Sequence, residues 1–196
     1  YASSEPYSAR AQGAAPAVQA ADSVTALWRA LKPIDTTVPA FEEGGHLVTW
    51  RGGAQATPYD MLRTRILQQA LANNWRRIAV VSPHSGCGKT TTVANLAFSF
   101  ARQSDLRTLV IDFDLRRATL ARMLGQTPTH TMGEVLEGQV SFADHGLGHG
   151  DNLAFGLNSG PVRQSAELLH SQRAKDSLAA VEALYRPDVV LFDVPP

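Results

Sequence analysis

The chain has 196 residues, with 18 basic and 18 acidic side chains and a formal net charge of zero, enough for one well-buried domain with appendages but not for two full ones. Interspersed, balanced charge excludes the electrostatic footprint of a nucleic-acid binder at chain level, and no apolar run approaches the ~20 residues that a membrane span requires. The single cysteine, Cys87, rules out an internal disulfide and fits a reducing cytosol.

The chain starts at Tyr1 rather than Met and shows no signal peptide, so the expectation is a fragment or processed piece of a longer protein. Residues 1–21 are rich in Ala, Ser, Pro and Gln with almost no large aliphatic side chains, the composition of a flexible tail. Within Ser23 to Lys32, Val24, Leu27, Trp28 and Leu31 recur at i, i+3, i+4 and i+7, predicting a short amphipathic helix that Pro33 stops and that packs on its own domain. Pro33 to Ala56, with four glycines and two prolines, reads as a linker, so residues 1–56 together form an N-terminal tail and linker.

A compact domain over residues 57–196 then begins at Thr57-Pro58-Tyr59-Asp60, with Thr57 as N-cap, Pro58 at N1 and Asp60 closing a capping-box-like pair. Its helix runs to about Asn74 with Leu62, Ile66, Ala70 and Leu71 inward. Strands are predicted at Arg77–Ser82, Arg107–Asp112, Leu153–Gly156 and Asp188–Asp193; helices follow the first strand to about Gln103 and cover Ala118–Leu124, Met132–Glu137 and much of Gln164–Leu184. Helices alternating with short apolar runs mean an α/β fold with a doubly wound, mostly parallel sheet covered on both faces.

The chemistry concentrates in Val80 to Thr92. Here Gly86 and Gly88 free the backbone to turn its N–H groups towards phosphate, Lys89 reaches the outer phosphates and the Thr90 hydroxyl ligates Mg²⁺. Ser85, Gly86, Cys87, Gly88, Lys89, Thr90 and Thr91 are the predicted nucleotide-binding residues, and Val93, Leu96, Ala97 and Phe100 continue the loop into a helix whose N-terminus favours anions. Pro83 stands where the general pattern has its first glycine, so a deviant Walker A loop is expected. Cys87 reads as a spectator within it.

Two more strands end in acid at the edge that carries the loop, since ligands of open α/β sheets bind at strand carboxyl ends. Asp112 and Asp114 follow Leu109-Val110-Ile111, and Asp193 follows Val189 to Phe192. One such aspartate is usually a turn residue; three beside a phosphate loop suit the holding of Mg²⁺ and its waters, or the acceptance of a nucleophile's proton. The paired arginines, Arg76-Arg77 and Arg116-Arg117, read as solvated surface. His145 and His149 stand four apart, but the glycines around them argue against a shared helix face, and a mobile polar loop is expected in place of a metal site.

Ser82-x-x-x-Gly86-x-Gly88-Lys89-Thr90-Thr91 with Pro83 ahead of its glycines, Asp112-x-Asp114-x-Arg116 after an apolar triplet, and Asp193-x-Pro195-Pro196 after an apolar run together resemble the bacterial tyrosine kinases of exopolysaccharide and capsule synthesis, within the deviant Walker A, partition-type P-loop ATPases. Tyr59 to Ile66 and Gln164 to Leu169 are similar to that family's leading helix and its Pro-x-Glu-Leu-Leu segment. The resemblance implies an ATP- and Mg²⁺-dependent protein-tyrosine autokinase, with Lys89, Asp112 and Asp114 catalytic and Thr90, Asp112, Asp114 and Asp193 at the metal. It gives Asp112 the proton of an incoming tyrosine and has Arg116 brace the acidic pair. It further implies ATP and ADP as ligands, a transmembrane polysaccharide co-polymerase or adaptor as partner, no nucleic acid, a homo-oligomer, and a cytoplasmic protein recruited to the inner face of the plasma membrane.

The chain departs from the family in three ways. Thr57, Asp60 and Arg63 occupy an oligomer-forming Glu-x-x-Arg-x-x-Arg pattern of which only Arg63 matches; the family's acceptor tyrosine cluster lies beyond the last residue; and the family sheet continues past Pro196, so the C-terminal strands are expected to be missing. Two other readings compete: a partition-type ATPase switch, which usually carries a signature lysine where this chain has His84, and a catalytically inactive docking module of an export complex, which has no need of the intact acidic set.

Overall fold

The computed structural model describes residues 16–42 and 45–196. Six strands form one sheet: β1 (Lys32–Pro33), β2 (Arg77–Val80), β3 (Thr108–Asp112), β4 (Leu147–His149), β5 (Leu153–Gly156) and β6 (Val189–Asp193), in the spatial order β1-β4-β5-β3-β6-β2. Every pairing is parallel except β4 with β5. The helices are α1 (Pro16–Ala30), α2 (Thr57–Asn73), α3 (Lys89–Ala101), α4 (Thr119–Met123), α5 (Met132–Leu136), α6 (Phe142–His145), α7 (Ser165–His170) and α8 (Gln172–Tyr185).

Successive side chains of a strand point to opposite faces, and the core divides accordingly. Val110 of β3 and Leu191 of β6 join Val93, Leu96 and Phe100 of α3 on one face; Leu109, Ile111, Val190 and Phe192 join α5, α8 and α1 on the other. Both faces are covered, which is why β3 and β6 read as unbroken apolar runs. α3 is buried from Val93 to Phe100, more than an amphipathic stripe, because α2 together with Phe41, Leu47 and Trp50 covers its outer side.

The N-terminal region differs most from the sequence reading. The expected tail falls partly outside the described residues, but residues 16–21 already belong to α1, where Ala and Gln favour helix. Trp28 anchors α1: it is 1% exposed, donates Nε1–H to the Tyr185 carbonyl (2.7 Å) and meets that ring edge-on at 6.0 Å. The expected linker packs into the domain. β1 joins the sheet, Ile34, Phe41 and Leu47 enter the core, and buried Thr49 locks onto buried Asn95 of α3. The glycines and prolines of this segment set its turns, but scattered apolar residues and single polar contacts hold it down, and neither has a period to read.

Three local expectations are corrected. The Thr57 capping box does not form, because a 3₁₀ turn (Ala54–Ala56) runs straight into α2 and Asp60 turns away to Ser99, Arg63 and Arg102. α2 buries Ala70 and packs Ile66 and Leu67 inward, leaving Leu62 and Leu71 exposed. The histidine segment is not a mobile loop: His145 ends α6 and His149 lies in β4, its ring against Trp50 (5.0 Å) and Phe98 (5.8 Å). Among the described residues no helix is long and apolar enough to cross a membrane.

Candidate active site at the carboxyl edge of the sheet

The phosphate loop links β2 to α3. Ser82 Oγ donates to the carbonyl of His84 (2.8 Å), drawing in the first turn. Gly86 and Gly88 sit at φ +81°, where a side chain costs roughly 1–2 kcal/mol; a Cβ at either would meet nothing within 4 Å, so glycine is needed for the dihedral and not for space. Gly88 caps α3, whose first turn begins at Lys89.

Ser85, Gly86, Gly88, Lys89, Thr90 and Thr91 of the loop, Asp114, Arg117, Thr119 and Met123 from the segment after β3, and Pro196 all line one cavity of about 220 Å³. Cys87 is exposed and lies outside this lining. Unpaired N–H groups at the start of α3 and the left-handed glycines make the loop side a site for a polyanion. Sequence reasoning did not pick out Arg117, Thr119 or Met123. Arg117 carried the one available signal, since it directly follows the Asp-x-Asp-x-Arg segment.

Register brings the acids together. Asp112 pairs with Asp193 at the ends of β3 and β6, Val80 pairs with Asp193 from the other side, and the Phe113 amide donates to the Asp193 carbonyl (2.8 Å). Asp112 and Asp193 are fully buried and Asp114 is 4% exposed. Lys89 Nζ donates to Asp193 Oδ1 at 2.8 Å, itself nearly buried, so in this state the loop lysine is held by an aspartate. Asp112 Oδ1 accepts the Asp114 amide (3.0 Å), while its carbonyl accepts Asn158 Nδ2 (2.9 Å). Burial, and then the negative charge of Asp193, pushes the Asp112 carboxyl up to about 7. Arg116 is exposed and makes no ion pair with these acids among the described residues, so the expected brace is not seen.

Asp112 Oδ2, Asp114 Oδ1 and Asp193 Oδ2 are buried and have no hydrogen-bond partner. Buried polar atoms almost always have one, so three orphans beside a phosphate loop fit a cation or its water shell. No three His, Cys, Asp or Glu residues among those described form a metal cluster by themselves. A Mg²⁺ ion here would therefore complete its oxygen shell from the Thr90 hydroxyl, phosphate and water, as that ion commonly does. His145 is unrelated to this site; burial, and then His130, pushes its pKa down to about 4.

Comparison with known proteins agrees with this geometry. The chain is 34% identical over 139 residues to the tyrosine-protein kinase YwqD of Bacillus subtilis, a match covering 70% of this chain and 57% of that protein. The chain thus spans little more than half the length of this curated relative. Among solved structures, the BceF tyrosine kinase domain superposes with a TM-score of 0.62 at 26% identity, covering 91% of this chain and 66% of that one. Cobyrinic acid a,c-diamide synthase from Mycobacterium smegmatis, solved with an ATP analog and magnesium, superposes with a TM-score of 0.51 at 27% identity over 62% of this chain and 51% of its own. Residues 78–193, from β2 to the last residue of β6, match the model of the CobQ/CobB/MinD/ParA nucleotide-binding domain, and the chain belongs to that family.

Proposed function

We propose that the chain is the nucleotide-binding part of an ATP- and Mg²⁺-dependent protein-tyrosine autokinase acting in exopolysaccharide or capsule synthesis and export, in the cytoplasm and beside a membrane-spanning adaptor. The observation that carries the reading is Asp112: a buried carboxylate, pushed up to about 7, next to a phosphate loop and with one oxygen unpartnered. That value suits a general base near neutral pH. The likeness to YwqD and to the BceF kinase domain supports tyrosine as the acceptor.

Arriving phosphate draws Lys89 off Asp193, exchanging a carboxylate partner for a phosphate one and freeing Asp193 for cation-bound water. Bound Mg²⁺ supplies charge neutralisation at the phosphate oxygens. The loop amides and Lys89 hold and orient the phosphates, Thr90 and Asp114 line the approach, and Asp112 takes the tyrosine proton as the phenolic oxygen bonds to the terminal phosphorus and ADP leaves. His84 in place of the signature lysine separates this loop from the partition-type switches.

The test is phosphotyrosine formation by the full-length protein with its adaptor and radiolabelled ATP. Label on tyrosine that disappears in Asp112→Asn is expected. No phosphotyrosine in the wild type, together with ATP hydrolysis unaltered by Asp112→Asn, overturns the assignment.

A further inference from the structure

We propose that Arg117 holds the terminal phosphoryl group of the bound nucleoside triphosphate and so makes the site distinguish triphosphate from diphosphate. The proposal rests on the nucleotide-binding reading above.

The first observation is one of charge. Lys89 is the only cation that the loop itself contributes, and Asp193 neutralises it at 2.8 Å. Asp193 is thus spent on Lys89, and Asp114 adds a carboxylate to the cavity lining. A nucleoside triphosphate brings several more negative charges and needs more than one lysine. Among the described residues Arg117 is the one arginine on the cavity wall, it is exposed, and no ion pair engages it, whereas Arg63, Arg77 and Arg102 are each tied to an acid.

The second observation is place. Arg117 lines the same cavity as the loop residues, together with Asp114 and Thr119 of its own segment. A phosphate chain seated on the loop amides and the α3 N-terminus and running on towards Asp114 brings its last phosphoryl group to the part of the lining that holds Arg117. A guanidinium supplies paired donors that match phosphate oxygens and keeps its charge at any working pH.

The third is the backbone. Ala118, between Arg117 and Thr119, is held at φ +46°, ψ +39°, left-handed although it has a Cβ. Such conformations persist where the surroundings over-determine them, and they gather at ligand-holding sites. Here the kink ends the Asp112–Arg117 segment and starts α4, and the Arg117 carbonyl is fixed by Arg122 Nη2 (3.1 Å).

Calorimetry on the full chain with ATP and with ADP, each with Mg²⁺, tests this for the wild type, Arg117→Gln, Arg117→Lys and Lys89→Ala. Arg117→Gln is expected to weaken ATP about tenfold while changing ADP by less than about threefold, the scale of a lost charge-assisted hydrogen bond. Arg117→Lys should recover part of the loss, and Lys89→Ala should weaken both nucleotides. Equal losses for ATP and ADP in Arg117→Gln, or no loss for either at unchanged thermal melting, overturn the proposal while leaving nucleotide binding intact. A wild type that binds neither nucleotide overturns the functional reading and this one together.

Discussion

Two buried polar clusters touch α3, and they obey opposite rules. At the junction with the N-terminal segment, Thr49 and Asn95 are both fully buried and fully bonded: the Thr49 amide and hydroxyl donate to Asn95 Oδ1 and to its carbonyl (3.0 and 2.7 Å), and Asn95 Nδ2 donates to the carbonyls of His46 and Thr91 (2.7 and 2.9 Å). Arg102 closes the set on the Thr49 carbonyl (2.7 Å). At the sheet edge, Asp112, Asp114 and Asp193 are buried just as deeply, yet each keeps an oxygen without a partner. A satisfied cluster serves the fold. An unsatisfied one costs stability and is retained where a ligand completes it.

Substitutions can break that contrast, beginning with the largest effect. Asp112→Asn removes a charge the fold disfavours while its amide oxygen can still accept the Asp114 amide. Because the folded carboxyl lies near 7 against an ordinary value of 3.8, Asp112 costs nothing below about pH 4, and its cost grows with rising pH until it is complete above about 7. Asp112→Asn is therefore expected to be more stable than wild type at pH 8, by on the order of 4 kcal/mol, with the gap closing as pH falls towards 4. Urea unfolding at several pH values measures this, and a gap independent of pH would contradict it.

Asn95→Ala at the satisfied cluster should act in the other direction. It strands the Thr49 amide and the His46 carbonyl, for a loss of about 3 kcal/mol with little dependence on pH. A loss below about 0.5 kcal/mol would show that the N-terminal segment is held by its apolar residues alone. The smallest effect is expected at Ala118→Gly, which relieves a left-handed alanine and should raise stability by about 1 kcal/mol. If it also loosens ATP binding, thermal unfolding and calorimetry of the one variant will move in opposite directions, joining strain to the phosphate site.

Much of the domain was legible from residue order. The limits of α2, α3, β3, β5 and β6 fall within a few residues of their predicted positions, because each is a run with a period or a capped end. The anchoring of residues 32–42 and 45–56 was not legible. Phe41, Leu47 and Thr49 are spaced irregularly, and Thr49 finds Asn95 46 residues away while Phe41 finds Phe98 57 residues away. α6 and β4 were hidden for a related reason: Gly146, Gly148 and Gly150 suggest a loop, whereas Gly146 and Gly148 are small because Phe142 and Leu31 approach them closely.

By itself the sequence determined the phosphate loop, the helix behind it and the order of strands that end in aspartate, because those features depend on neighbours along the chain: dihedral freedom at Gly86 and Gly88, helical spacing in α3, apolar runs before Asp112 and Asp193. Only the tertiary structure decided that Asp112 stands opposite Asp193, that Lys89 spends its charge on that aspartate, and that Arg117 lines the loop's cavity while Arg116 does not. Those three facts follow from strand register and from the turn at Ala118, which bring together groups as much as 104 residues apart. Burial then raises the Asp112 carboxyl to about 7, a property of the packed sheet that no local pattern of residues carries.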